Sequence, residues 1–184
     1  MSLERVKISL LRSYEESGGI NHLDGMNLPS EESVNRLASE FMHLLFPGFF
    51  EQAALTRSSV AKITSERLQS LFTRLRTEME KAVRTLGDAN PAQRAEDAAM
   101  SLLEQIPDIR RIVQTDVEAA YDGDPAARSL DEIILAYPCV LAISLQRIAH
   151  VIYQLGIPLI PLMTVYDFFI KRALDQLFYN LYWR

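Results

Sequence analysis

The side chains best suited to chemistry are few and scattered: three histidines, His22, His43 and His150, and one cysteine, Cys139, in 184 residues. A general base needs a partner that orients it, and a zinc site needs three or four ligands at recognisable spacing. These residues offer neither arrangement. Cys139 has no second cysteine to pair with, so a buried structural thiol is the favoured reading, and a reactive one would need an exposed electropositive setting. The densest carboxylate group is Glu118, Asp122 and Asp124. It lacks the spacing of a cation-binding loop, and no metal is expected there. Asp124, before Pro125, reads as a turn former between two helices. His150 lies four residues from both Gln146 and Gln154 on a helix with an apolar face, which favours a hydrogen-bonded packing residue over a base. Arg147 is expected to pair with an acidic residue of a neighbouring helix or of a partner chain.

The elements that must position these residues are helical. From Thr64 to Leu86 the residues Leu68, Leu71, Phe72, Leu75, Met79, Val83 and Leu86 recur at steps of three and four, one stripe of a helix that Gly87 stops. Pro29-Ser30-Glu31-Glu32 opens an earlier helix through Val34, Leu37, Phe41, Leu44 and Leu45, broken by Phe46-Pro47-Gly48-Phe49. Leu3 to Tyr14 reads as a weaker helix, and Ser17 to Leu28 as a linker. Residues 1–28 are thus set apart from a helical domain over 29–184.

Asn90-Pro91 caps a helix reaching about Gln105, and Pro107 starts another through Ile112, Val113, Val117 and Ala120. Ser129-Leu130-Asp131-Glu132 is a capping-box pattern for a short helix to Tyr137. A strongly apolar helix follows from Pro138 to Leu155, closed by Gly156, and a last one is predicted from about Met163 to Tyr182. No alternating Val, Ile or Thr runs call for a sheet. The fold class is all-α, a bundle of about six to eight helices.

Composition narrows the function classes. The chain is 48% hydrophobic and 23% charged with a formal net charge of -5, and its sequence pI is near 5.3. That balance argues against a general nucleic-acid binder, which needs basic residues against phosphate. Gln146, Arg147 and His150 interrupt one apolar helix, and Asp167, Lys171, Arg172 and Asp175 interrupt the last, so no membrane span is expected. The N-terminus has no secretory pattern, and a cytoplasmic location is the default expectation.

The segment from Asp116 to Ala127, containing Tyr121-Asp122-Gly123-Asp124-Pro125-Ala126, together with Ser129-Leu130-Asp131-Glu132-Ile133-Ile134, resembles the stretch that precedes the β-helix in bacterial serine O-acetyltransferases. Tyr137-Pro138, Ala142-Ile143, Arg147-Ile148-Ala149-His150, Tyr153 and Pro158-Leu159-Ile160-Pro161 follow in the order and spacing of that family. Phe46-Pro47-Gly48-Phe49 and Ile106-Pro107-Asp108-Ile109-Arg110 are similar to its longer-headed bacterial branch. The resemblance covers roughly residues 40–164. The chain departs from it at Cys139, where the family generally has glycine, and after Tyr166.

The resemblance implies an enzyme that acetylates L-serine with acetyl-CoA, the first step of cysteine biosynthesis. A histidine held by an aspartate takes the serine proton, and the oxygen attacks the thioester. Those groups sit in a left-handed β-helix of hexapeptide repeats, for which no counterpart is seen here, so this chain alone is expected to be inactive. No catalytic residue and no cofactor are assigned to it, acetyl-CoA being a co-substrate of the complete enzyme. Asp124 is the one residue that carries over, as the partner of the L-serine amino group.

The resemblance also implies a homo-oligomer, because this helical region pairs trimers in the family. The final segment adds to that expectation with Phe168, Phe169, Ala173, Leu177, Tyr179, Leu181, Tyr182 and Trp183, apolar on more than one face. The alternative is a non-enzymatic helical protein derived from that family that self-associates or docks.

Overall fold

The computed structural model describes residues 2–25 and 27–165. The expected final helix therefore lies outside the described residues beyond Val165, and with it the aromatic segment from Phe168 to Trp183. Eight α-helices occur in chain order, with no strand among the described residues. They are α1 (Leu3–Glu16), α2 (Glu31–Leu45), α3 (Val60–Arg84), α4 (Pro91–Glu104), α5 (Ile106–Gly123), α6 (Leu130–Ala136), α7 (Pro138–Gln154) and α8 (Ile160–Val165). The fold is an all-α bundle, as the periodicity predicts.

Local chemistry sets most boundaries. The Ser30 hydroxyl accepts from the Ser33 amide at 3.2 Å and starts α2, with Glu31 and Glu32 in its positive first turn. Gly87 and Gly156 follow α3 and α7 at φ of +69° and +71°, the left-handed conformation that glycine adopts without a side-chain clash. Ser129 accepts from the Glu132 amide at 3.1 Å, while the Glu132 carboxylate takes the amide of Arg128, one residue before the cap. The capping box expected at Ser129 therefore closes in a shifted form.

Two junctions are set by proline. A residue before proline is pushed out of the α region by the ring, and both Asp124 and Tyr137 have extended backbones, at ψ of 102° and 112°. The first ends α5. The second turns the chain by 75° between α6 and α7.

The core sits between α2, α3, α4, α5 and α7. The helices α3 and α4 share the most extensive contact, through Leu71, Leu75, Met79 and Val83 on one side and Ala95, Ala99 and Leu102 on the other. Alanines on α4 let the two helices approach closely, and each fully buried leucine contributes about 1.5–3 kcal/mol. Leu86, counted in the α3 stripe from sequence, is 54% exposed because it lies past the last helical turn. The last helix starts at Ile160 rather than Met163, since Leu159 turns the chain at positive φ and Pro161 fits a first turn.

The helix α1 has no buried residue at all. Leu3, Val6, Leu10, Leu11 and Tyr14 are exposed along it. Among the described residues no single helix is long and apolar enough to cross a membrane.

Candidate functional site

Asp124 lies where α5 ends, partly buried in the turn that leads to α6. One carboxylate oxygen accepts from the Ala126 amide at 2.9 Å, which is the turn-capping contact that Asp before Pro predicts. The other accepts from the Tyr137 hydroxyl at 2.5 Å. The two donors hold the carboxyl below the usual carboxylate range, the tyrosine hydroxyl most and the Ala126 amide next. The same bond pushes the Tyr137 hydroxyl up to about 12, because losing its proton would place a second negative charge beside Asp124. Asp124 is thus an ionised acceptor held by two uncharged donors.

Tyr137 was legible in the sequence only as part of a Tyr-Pro pair. Its thirteen-residue separation from Asp124 gives no local spacing to read, and only the turns before and after α6 bring the two together. Tyr137 also borders a cavity of about 460 Å³ between α2 and the α6–α7 junction, lined by Asn35, Ser39, His43 and Phe50 among others.

Asp116, eight residues earlier and within α5, has a different partner. Both of its oxygens accept from Arg147 on α7, each at 2.6 Å, through Nε and Nη2. This is the pairing expected of Arg147, made within the chain. A planar guanidinium matched to a carboxylate fixes the approach of α5 and α7.

The remaining candidates separate. Glu118 accepts from Gln114 at 2.8 Å on the exposed side of α5, and Asp122 is also exposed. No group of three or more His, Cys, Asp or Glu side chains suited to a metal occurs among the described residues. Cys139 is exposed rather than buried. His150 is exposed as well, so the packing role expected of it is not what the fold gives. Both corrections have one cause. Cys139, Ile143, Gln146, His150 and Tyr153 follow one another at steps of three and four, which makes them the solvent stripe of α7. Ile143 and Tyr153 disguise that stripe in sequence by being apolar, yet they are 38% and 71% exposed.

His43 belongs to a structural network that sequence reading missed. Its Nδ1 lies 3.3 Å from Glu51, whose two oxygens each accept from Arg67 of α3 at 2.5 Å. The Arg67 hydrogen bonds hold Glu51 below the usual carboxylate range against the opposing effect of burial. Nearby, Arg110 donates to the carbonyls of Leu44 and Leu45 and ties α5 to the end of α2.

No family model matches the chain. It is 36% identical over 146 residues to the plasmid serine acetyltransferase of Synechococcus elongatus, an alignment covering 74% of this chain and 46% of that protein. It is 39% identical over 67 residues to the serine acetyltransferase of Bacillus licheniformis, covering 36% of this chain and 26% of the relative. Among solved structures, serine acetyltransferase 1 of Entamoeba histolytica in complex with L-cysteine superposes with a TM-score of 0.57 at 29% identity, over 78% of this chain and 48% of that one. Isoform 3 from the same organism, in complex with cysteine, gives 0.59 at 27% identity, over 86% and 54%. The chain spans about half the length of these relatives.

Proposed function

The chain belongs with the serine acetyltransferases, as their N-terminal helical part, and from that premise we propose that it is the oligomerisation and serine-side part of an enzyme that transfers acetyl from acetyl-CoA to L-serine. The observation that carries this reading is Asp124. Its carboxylate is ionised, held by two neutral donors, and has no cationic side chain within ion-pair distance among the described residues. Such a group keeps its full charge for an ammonium, the group that L-serine presents beside its hydroxyl.

In this reading Asp124 binds and orients. Fixing the amino group of L-serine restricts the hydroxyl three bonds away, and positioning of that kind contributes to acyl transfer by lowering the entropy that must be lost at the reacting centre. In this reading the general base and the acetyl-CoA groove belong to the β-helix of the complete enzyme, and the part played by Asp124 is binding alone. Calorimetric titration with L-serine is the test. Heat of binding is expected for the chain and is lost in Asp124→Asn, whose amide keeps the shape without the charge; equal heats in the two proteins would remove the assignment.

A second reading, a helical self-association protein without activity, is favoured by α1. A helix with an apolar stripe and no buried residue presents a surface that soluble monomers rarely leave uncovered. Light scattering at micromolar concentration bears on it, with a mass above that of one chain expected and a clean monomer counting against it.

A further inference from the structure

The Tyr137 to Asp124 contact joins the only two residues that proline holds extended on either side of α6, Asp124 before Pro125 and Tyr137 before Pro138. At both, the following proline ring disfavours the helical backbone and favours the extended one that is seen. The short helix α6 between them is pinned by its Ser129 cap and by the fully buried Ile133. Two rigid corners therefore present one hydroxyl to one carboxylate at 2.5 Å.

Resting on the L-serine reading above, we propose that Tyr137 is the positioning residue for Asp124: its hydroxyl fixes the orientation of the carboxylate that receives the substrate's ammonium, without neutralising it. A tyrosine hydroxyl suits this task better than a cationic side chain would. It has one proton to donate and no charge, so it orients the carboxylate and leaves its attraction for an ammonium intact. An arginine at the same place would make the pair that Arg147 makes with Asp116, with the charge consumed inside the fold. Each oxygen of ionised Asp124 still has a free lone pair after Ala126 and Tyr137 have donated, so an ammonium can be accepted with both existing bonds in place. The tyrosine also remains a donor throughout the neutral range, since the contact itself makes its proton harder to remove.

The test uses the full chain labelled with 13C at aspartate carboxyls, comparing wild type with Tyr137→Phe, which keeps the ring and removes the hydroxyl. The Asp124 titration midpoint is expected to rise toward the ordinary aspartate value in the variant, and its affinity for L-serine to fall roughly threefold to tenfold, the loss of one hydrogen bond. The Asp116 carboxyl resonance should stay put and report that the fold is intact. An unchanged Asp124 midpoint overturns the proposal. So does a raised midpoint with unchanged affinity, which would make the contact a staple between α5 and α7 and nothing more. If L-serine perturbs neither protein, the serine reading fails together with the substrate half of this proposal, while the midpoint still decides whether Tyr137 holds Asp124. Should Tyr137→Phe not fold, the reciprocal measurement serves: in Asp124→Asn the Tyr137 ring carbon should titrate below its value of about 12, toward 10, and a midpoint that stays near 12 would overturn the coupling.

Discussion

Two aspartates eight residues apart, one within α5 and one just past its end, meet opposite fates. Asp116 faces α7 and gives both oxygens to Arg147, so its charge is cancelled within the chain. Asp124 takes its bonds from an amide and a hydroxyl, and its charge is held in place without being cancelled. A carboxylate with a matched guanidinium is finished structure. One oriented only by neutral donors has a geometry fixed by the fold and a charge left for something else. Counting acidic residues cannot distinguish the two, and neither can their exposure, since both are partly buried.

The sharpest way to break this comparison is to remove Asp116. Asp116→Ala leaves Arg147 partly buried without its partner and should cost about 1–3 kcal/mol in a denaturant titration, the range for leaving a buried donor unsatisfied. Asp124→Asn should shift the midpoint of the same titration much less while abolishing the response to L-serine. If Asp124→Asn unfolds the chain as readily as Asp116→Ala, the two carboxylates are both structural and the distinction falls.

A smaller effect is expected from the cap that holds α6 between the two proline corners. Ser129→Ala removes the hydroxyl that accepts from the Glu132 amide and should cost about 1 kcal/mol. Its value lies in where the change is felt: amide exchange should quicken in α6 and at Tyr137 before it does in α3 or α4. Uniform quickening would show that the α6 corner is not a separate unit.

The smallest effect is the pH dependence of the Tyr137 and Asp124 pair. Asp124 has a depressed carboxyl value, so its contribution to stability is complete above the unfolded value near 3.8 and is lost as pH falls through the lower folded one. Tyr137 has a raised value, so its contribution is complete below 10 and is lost as pH rises from there through about 12. Chain melting in wild type should therefore weaken at both edges relative to Tyr137→Phe, and the two should run parallel between pH 5 and 9. Parallel curves over the whole range would mean that the bond does not form in solution.

Much of the fold was legible because its boundaries are local. Ser30, Pro91, Ser129, Gly87 and Gly156 each act on the turn next to them, and the helices start and stop where those residues say. The faces were harder. On α7 the buried stripe through Val140, Ser144, Leu145 and Ile148 lies beside a solvent stripe that itself carries Cys139, Ile143 and Tyr153, so periodicity alone did not say which side was out. The candidate site was half legible. Asp124 came from its motif and its turn, whereas its partner Tyr137 is fixed only by the two proline corners and the buried Ile133, a geometry that no short pattern encodes.

On the proposed function, Asp124 keeps its charge for the ammonium of L-serine and Asp116 does not. The most direct measurement follows both carboxyl carbons by NMR in the full chain at neutral pH as L-serine is added. The Asp124 resonance should move along a saturable curve, the Asp116 resonance should remain where it is, and N-acetyl-L-serine, which lacks the ammonium, should move neither. Equal shifts of both carbons, or an Asp124 resonance that responds as strongly to N-acetyl-L-serine, would contradict the account.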